Sequence, residues 1–375
     1  MISALKRAYA NFRGFDTERR AVPPMEGPLK PNTALDDAAI ALTLPDADNL
    51  VATAGGLACS TGAELLTLEL RADPTRATPG LAVAGRRTLA GPISAIASDG
   101  ADALAIGLDG GGITVLGGKH DGRKITQADG TKLTCVTAIA FAGPDTLVVA
   151  NGSDRAKSAD WKRDLMAKGA SGSVWRIGLA SGTATRIGQG LAFPAGLAIS
   201  GSDILVAEAW RHRVVAFAGP DAPPRALLED LPAYPGRILP ASGGGFWLSL
   251  FAPRNALVEF VLTEDTYRNE MMATIDPAYW IAPALRSGRS FLEPIQGGAR
   301  KKLNMLKPWS PSWSYGLVAR CDSRMHPLGS SHSRADGRVH GVTAIAERDG
   351  TLFVAARGSG VIVALKASRL AGGAA

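Results

Sequence analysis

Cysteine is scarce in this chain of 375 residues: Cys59, Cys135 and Cys321 lie far apart, and none belongs to a CxxC pair. An odd number of thiols without paired spacing argues against a disulfide framework and predicts reduced, structural cysteines in a reducing compartment. Long apolar runs are also absent, since no stretch approaches the ~18 residues that a membrane-spanning helix needs. The opening MISALKRAYANFRGF reaches Lys6 and Arg7 too early for the apolar core of a secretory signal, so we expect a cytoplasmic protein.

Several chemical signatures are missing as well. The sequence contains no GxSxG elbow, Walker loop, HExxH or EF-hand pattern, which argues against the enzymes and ion-binding loops that these motifs mark. The net charge of +7 and the isoelectric point near 9.4 would suit nucleic acid. Helix-turn-helix patterns, zinc-finger spacing and RNA-binding aromatic signatures are absent, however, and we therefore expect no nucleic-acid partner.

Glycine and proline, in contrast, are plentiful, and an internal repeat accompanies them. A Gly/Asp turn followed by a short apolar strand, a polar turn and a second strand recurs six times. The repeats centre on Leu50, Leu104, Leu147, Leu205, Trp247 and Leu352. Their spacing is roughly 40 to 60 residues, except that the last interval is about twice as long. Six strand pairs at this spacing predict an all-β protein, a six-bladed β-propeller with four-stranded blades and short helical insertions.

The predicted organisation is an N-terminal arm over residues 1–35 and a single propeller over 36–370, interrupted by insertions at 153–172 and 267–313. In the first insertion, Trp161, Leu165 and Met166 have helical spacing, and Gly169 is a plausible stop. The second insertion is rich in aromatic and basic residues. It forms either a lid or partner surface, or a segment packed against the propeller wall. Its basic part, 286–313, is where we expect any peripheral membrane or protein contact.

Four segments resemble a known family: SGSVWRIGLASGTATRIGQGLAFPAGLAISGSDILVAEAWRHRVVAF, LLEDLPAYPGRI, GGGFWLSL and VTAIAERDGTLFVAA. They are similar to the strictosidine synthase-like proteins, six-bladed propellers related to the paraoxonases and the gluconolactonase/regucalcin group. The similarity is best over 134–251 and 340–365 and weaker over 91–107. It implies that ligands bind at the mouth of the central channel.

The metal-binding relatives hold a divalent ion there with oxygen ligands from several blades. Counted along this sequence, the ligand positions fall at Ile93, at Val136 or Thr137, at Ala195, and at Gly236 and Arg237. Isoleucine, alanine and glycine offer no side-chain oxygen, and the Arg237 charge repels a cation. We therefore predict no metal and no cofactor in the channel.

The Pictet–Spengler enzyme of this family uses a glutamate in its last blade to relay a proton, and that position falls near Thr343. Threonine does not ionise at neutral pH and is a poor general base, so the resemblance does not imply strictosidine synthesis here. The same region contains SSHSRADGRVHGVTA, just before the last inner strand. We predict His340, and secondarily His332, as general-base candidates and Arg334 as an anion clamp. The alternative is a solvated Asp-Gly turn.

Two further stretches supply candidate substrate-binding residues. In LPAYPGRI, Tyr234 and Arg237 stand at the turn that enters an inner strand of the fifth blade. In AEAWRHRVV, Trp210 and His212 reach a ligand if their turn lies at the binding face, and otherwise they cap the blade edge.

Three functions are compatible with these features. The first is a metal-independent binder or enzyme, a lyase, synthase or hydrolase, for a small organic molecule with an anionic group. The second is a non-catalytic interaction propeller for a protein or membrane partner, and the third is a divalent-metal-dependent lactonase or esterase. We favour the first, because Arg237 and the implied channel pocket suit a small-molecule anion.

Overall fold

Six four-stranded antiparallel sheets form the molecule. The computed structural model describes residues 22–220, 222–290 and 314–370, and between them the segments 292–293, 295–296, 300–302, 305–307 and 310–311. Neighbouring inner strands contact one another all the way around the ring, including those of the first and sixth sheets. The prediction of a six-bladed propeller with four-stranded blades is therefore confirmed.

Blades 1 to 3 follow one another in the chain, each running from its inner to its outer strand. Their strands are Ala47–Thr53, Gly56–Thr61, Glu64–Arg71 and Gly80–Thr88; Ile93–Ser98, Leu104–Leu108, Gly112–Leu116 and Lys124–Ile125; and Val136–Phe141, Thr146–Asn151, Gly172–Gly178 and Ala184–Leu191. A small hairpin, Gln127–Ala128 with Thr131–Lys132, connects blades 2 and 3.

Blades 4 and 5 follow the same order, and blade 6 takes its outer strand from the start of the chain. Their strands are Pro194–Ser200, Asp203–Glu208, Arg213–Phe217 and Arg225–Leu228; Ala233–Pro240, Phe246–Pro253, Gly316–Cys321 and Pro327–Ser333; and Val342–Arg348, Thr351–Ala356, Val361–Lys366 and Ala39–Thr43. The last pairing joins Ala39 to Ala364 and Thr43 to Val361, so the two ends of the chain close the ring.

Helices occupy the connections. The α-helices are α1 (Trp161–Met166), α2 (Ala256–Thr263) and α3 (Asp265–Thr274). Short 3₁₀ turns cover Gly27–Leu29, Ser158–Asp160, Ala209–Arg211, Pro277–Tyr279 and Ala367–Leu370. In the second insertion, two small strand pairs are described: Ile295–Gln296 with Ser310–Pro311, and Arg300–Lys302 with Met305–Lys307. No helix in the described ranges is long and apolar enough to cross a membrane.

The core lies between neighbouring blades rather than within any one of them. Between blades 3 and 4, for example, Val148 and Val174 pack with Leu197, Val206 and Phe217, and all five are buried. Each such side chain contributes roughly 1.5–3 kcal/mol when it leaves water. A blade alone would expose these faces, so the stacking of blades around one axis provides the stability.

One strand prediction is wrong. The fifth repeat, GGGFWLSLFAPRNALVEF, predicts a second strand after its polar turn, but the residues ALVEF (256–260) belong to α2. The Asn255 side chain accepts a hydrogen bond from the Leu257 backbone N–H at 2.8 Å, which caps the helix. The third strand of blade 5 begins only at Gly316, after the second insertion, and this delay accounts for the long last interval.

The helix predicted in the first insertion is present as α1. The chain leaves this helix before Gly169, the predicted stop, and the Gly169 N–H donates to the Asp164 carbonyl oxygen at 2.8 Å. A Cβ at Gly169 would lie 2.3 Å from the Asp164 carboxylate, so glycine is required at this close approach.

Candidate binding pocket at the channel mouth

Every inner strand of the propeller carries one extra residue near its start. In blade 3, the pairing advances from Val136 to Ala138 while the partner strand advances only from Asn151 to Ala150, so Thr137 is the extra residue. Such a β-bulge bends the strand and redirects a side chain. The corresponding irregular positions in blades 1 to 6 include, in order, Asn49, Ser94, Thr137, Ala195, Gly236–Arg237 and Thr343.

Five of these six positions line a cavity of about 160 Å³ at the mouth of the channel. The bulge residues form what we call the floor. Aromatic side chains from blades 3 to 5 and from the first insertion form the wall: Trp161, Phe193, Trp210 and Phe251. Charged residues form the rim: Asp46, Asp48, Asp109 and Arg357. The pocket therefore has a polar floor and an apolar wall.

Arg237 crosses the channel and connects four blades. Its Nη2 donates to Asn49 Oδ1 at 2.5 Å and to the Ser94 carbonyl oxygen at 2.9 Å, and its Nη1 makes a long contact of 3.4 Å with the Ala195 carbonyl oxygen. Its backbone N–H donates to Ser249 Oγ at 2.8 Å. Burial lowers the pKa of the guanidinium from its ordinary value, and Asp48 acts in the opposite sense. Guanidinium remains charged in proteins, so a full positive charge lies on the pocket floor.

This charge has only neutral hydrogen-bond partners. Among the described residues, no carboxylate oxygen lies within 4.0 Å of Arg237, and Nε has no protein acceptor. The rim carboxylates have other donors. Asp48 Oδ2 lies 3.2 Å from Arg357 Nη1, and Asp109 accepts the backbone N–H groups of Ser158 at 2.7 Å and Ala159 at 3.2 Å.

Two hydroxyl groups on the floor also lack partners. Ser94 Oγ and Thr343 Oγ1 are buried and form no hydrogen bond with any described residue. Thr137 differs, because its Oγ1 donates to the carbonyl oxygens of Ala150 at 3.2 Å and Pro194 at 2.5 Å. A buried hydroxyl without a partner costs free energy, so these two groups favour a hydrogen-bonding molecule in the pocket.

The wall is a packed aromatic cluster. Trp210 stacks on Phe193 with ring centroids 4.5 Å apart, and Trp161 meets Phe251 edge-on at 5.6 Å. The Trp210 Nε1–H donates to Asp164 Oδ2 at 2.8 Å, and this buried carboxylate also accepts from Ser153 Oγ at 2.7 Å. Asp164 belongs to α1, so one hydrogen bond fixes the first insertion against the blade 4 turn that contains Trp210. The insertion thereby covers the pocket with Trp161.

The floor does not fit a divalent metal ion. The positions that the resemblance assigned to ligands do lie together, because Ile93, Thr137, Ala195, Gly236 and Arg237 all line the pocket. Hard cations need carboxylate and amide oxygens. Here the Asn49 side-chain oxygen and the Ser94 carbonyl oxygen accept from the Arg237 guanidinium instead. A second positive charge at this distance would be repelled.

Of the predicted substrate-binding residues, Arg237 and Trp210 line the pocket. Tyr234 lies behind the wall, fully buried, with its ring 5.7 Å from that of Phe251, and burial raises the pKa of its hydroxyl well above the usual value. His212 packs against Tyr234 at 4.7 Å and has a left-handed φ of 49°. Burial and the nearby Arg254 lower the pKa of His212 to about 3. Neither Tyr234 nor His212 lines the pocket.

The two histidines predicted as general bases are buried elsewhere, at blade 5 and its junction with blade 6. His332 Nδ1 lies 3.0 Å from the Tyr315 hydroxyl, and Nε2 lies 2.7 Å from Ser330 Oγ. Because Ser330 Oγ donates to the Pro28 carbonyl oxygen at 2.7 Å, the network assigns the proton of a neutral His332 to Nε2. Burial lowers the pKa of His332 to about 4.

His340 has a similar environment. Its Nε2 lies 2.8 Å from the Arg334 carbonyl oxygen, which only accepts, so Nε2 carries a proton. Its Nδ1 lies 2.8 Å from Ser314 Oγ. Burial lowers the pKa of His340 below its ordinary value. The Arg334 side chain is about half exposed and pairs with Asp336 at 3.6 Å. None of these three residues lines the pocket, and their roles in binding or catalysis stay predictions.

Several pocket residues were not identified from the sequence, among them Ser94, Phe251 and Arg357, and neither was Asn49, which accepts a hydrogen bond from Arg237. A signal for the floor exists in the repeated tetrapeptides ISAI (93–96), VTAI (136–139) and VTAI (342–345). In each, the hydroxyl residue before Ala-Ile is the bulge position. In the fifth blade the corresponding stretch is PGRI (235–238), where arginine stands in place of alanine.

Comparison with solved structures agrees with this architecture. A gluconolactonase from Xanthomonas campestris is similar to this chain with a TM-score of 0.53 at 14% sequence identity, over 89% of this chain and 91% of that one. A candidate gluconolactonase gives a TM-score of 0.50 at 11% identity, over 88% and 90%. The chain shares its fold with these proteins. At such identities the similarity carries the fold and not the activity.

Sequence comparison adds no closer relationship. No family model matches the chain, and no curated protein matches it. The strictosidine synthase-like assignment therefore stays a prediction.

Proposed function

We propose that this protein binds a small organic anion in a metal-free pocket at the channel mouth, with Arg237 as the anion-binding group. The observation that supports this proposal is the positive charge of Arg237 on the floor, which no nearby carboxylate in the described part of the chain neutralises. Arg237 is held in place by neutral oxygens of three other blades, yet it keeps an unpartnered Nε–H and no carboxylate within 4.0 Å among the described residues. Charge-assisted hydrogen bonds to a carboxylate are about twice as strong as neutral ones.

Binding is better supported than catalysis. Among the described residues that line the pocket there is no histidine, cysteine, lysine or tyrosine. The rim carboxylates Asp48 and Asp109 already accept other donors. A metal-dependent lactonase or esterase would need a cation where the Arg237 guanidinium lies. The conclusion is a ligand-binding propeller. The alternative, an interaction surface at 286–313, concerns residues whose side chains lie mostly outside the described part of the chain.

The test is thermal denaturation of the chelator-treated protein with a panel of small carboxylates, phosphate and uncharged analogues. A ligand at 100 times its Kd stabilises the native state by about 2.7 kcal/mol, which is several degrees in Tm. We expect carboxylates, and not their alcohol or amide analogues, to raise the Tm.

The decisive variant is Arg237→Met, which keeps an unbranched side chain as far as the position of Nε and removes the charged guanidinium. We expect its own apo Tm to be lower, because contacts with three other blades are lost, and we expect no anion-induced shift. Arg86→Ala is the matched control, since Arg86 is an exposed arginine on the outer strand of blade 1, paired with Glu64 at 3.0 Å. It removes the same charge and should leave the shift unchanged. The absence of any anion-specific shift, or a full shift in Arg237→Met, contradicts the proposal.

A further inference from the structure

The size of the pocket limits its ligand to about one ring. Its volume is about 160 Å³. Apolar cavities near 150 Å³ accept benzene-sized molecules. A fused two-ring system or a disaccharide exceeds this space and would extend out of the pocket toward the rim.

The wall favours a flat apolar group. Trp161 and Trp210 both line the cavity and keep accessible surface, whereas Phe193 and Phe251 are almost fully buried behind or beside them. Phe193 already stacks on Trp210. Aromatic rings prefer offset or edge-to-face contacts with other rings, and such contacts are favourable beyond the burial of apolar area.

The floor favours a single carboxylate. Three unpartnered groups belong to it: Arg237 Nε, Ser94 Oγ and Thr343 Oγ1. They come from blades 5, 2 and 6, and all three residues line the same cavity. A carboxylate has two oxygens and accepts about four hydrogen bonds, so it has enough acceptor sites for all three donors. A second carboxylate would lie toward Asp46, Asp48 and Asp109, where like charges repel it.

Resting on the proposed function, we propose that the ligand is a monocyclic aromatic monocarboxylate. Its carboxylate accepts from Arg237, Ser94 and Thr343, and its ring lies against Trp161 and Trp210. The polar and apolar ends of such a molecule match the separation between floor and wall.

The experiment is titration of the intact protein with benzoate, hexanoate, benzyl alcohol, terephthalate and 2-naphthoate, followed by calorimetry and tryptophan fluorescence. We expect benzoate to bind at least tenfold more tightly than each of the other four. Hexanoate lacks the ring, benzyl alcohol lacks the charge, terephthalate adds a second charge, and 2-naphthoate exceeds the volume.

Variants locate the site. We expect Trp210→Ala to weaken benzoate at least tenfold while affecting hexanoate little. Trp175→Phe is the control, because Trp175 is buried in blade 3, donates to Ser173 Oγ at 2.8 Å and does not line the pocket. It should leave benzoate affinity unchanged even if it lowers stability.

The outcomes separate this inference from the proposed function. If hexanoate binds as tightly as benzoate and Arg237→Met abolishes both, the ring requirement is wrong and the anion pocket stands. If benzyl alcohol binds as tightly as benzoate, or if Arg237→Met binds benzoate normally, then both the aromatic carboxylate ligand and the anion-binding pocket are wrong. If benzoate does not bind while another small anion does, the ligand class is overturned.

Discussion

The pocket floor and the histidine network of blade 5 contain similar residue types but differ in how completely their hydrogen bonds are formed. In the network, both ring nitrogens of His332 and His340 have partners within 3.0 Å. On the floor, Ser94 Oγ and Thr343 Oγ1 have none among the described residues. A satisfied buried network holds the fold together, whereas unpartnered groups around a cavity are available for a ligand. Lack of a partner is informative only at the cavity, because Ser331 Oγ and the Tyr234 hydroxyl also have no partner among the described residues and do not line the pocket.

The largest effect expected from the comparison concerns His332. His332→Ala removes a buried ring and leaves the Tyr315 hydroxyl without its acceptor, so we expect the free energy of unfolding to fall by about 2–4 kcal/mol. Ligand affinity should be unchanged, because His332 does not line the pocket. Chemical denaturation and calorimetry measure the two quantities. If a folded His332→Ala variant lost ligand affinity, the histidine network would not be separate from the binding pocket in function.

The pH dependence of stability sharpens the same comparison. The pKa of His332 is about 4 in the folded protein and 6.5 in an unfolded chain, so folding favours the neutral ring. Its stabilising contribution is complete above pH 6.5 and is lost as the pH falls toward 4, by up to about 3 kcal/mol. Denaturation between pH 8 and pH 4 should show this loss of unfolding free energy in the unmodified protein. The His332→Ala variant should lose less over the same range, because His212 still titrates and His332 does not.

A smaller effect is expected on the floor. Thr343→Val preserves shape and removes a hydroxyl that has no partner, so apo stability should stay the same or rise by up to about 1 kcal/mol. Affinity for a carboxylate ligand should fall about 3- to 10-fold. Thermal denaturation without ligand and calorimetry with it give both values. A clear loss of stability without ligand would show that the Thr343 hydroxyl forms a stabilising hydrogen bond in the ligand-free protein.

The smallest expected effect is that of chelation. The Arg237 guanidinium supplies the positive charge on the floor, so we expect no divalent ion there. EDTA should therefore change neither the Tm nor the ligand affinity, and added Ca²⁺ should not raise the Tm. Elemental analysis of the purified protein provides the complementary measurement. A stoichiometric divalent ion that raises the Tm would contradict this account.

The sequence predicted the blades well because the repeated turn-strand pattern is local. It failed at ALVEF (256–260), where apolar residues suit a strand or a helix and the Asn255 cap favours the helix. Arg237 and Trp210, predicted as substrate-binding residues, line the pocket, and their role in binding stays a prediction. Residues that act across blades were harder to predict. Asn49 and Arg237 are 188 residues apart, and no local pattern shows that they share a hydrogen bond.

The pocket's unpartnered hydroxyls illustrate the same limit. Ser94 and Thr137 occupy equivalent positions in similar tetrapeptides, yet only Thr137 finds acceptors, including the Pro194 carbonyl oxygen of the next blade. Whether a hydroxyl is satisfied depends on the neighbouring blade, and the geometry between blades is set by packing rather than by the blade's own sequence.

The pairing of Ala39–Thr43 with Val361–Lys366 has a consequence for biosynthesis. Roughly 320 residues separate the two strands, so the early strand emerges from the ribosome long before its partner exists. At about 5–20 residues per second, it waits roughly 15 seconds to a minute as an unpaired β-edge. We therefore expect chaperone occupancy during translation to persist until the last strand has emerged.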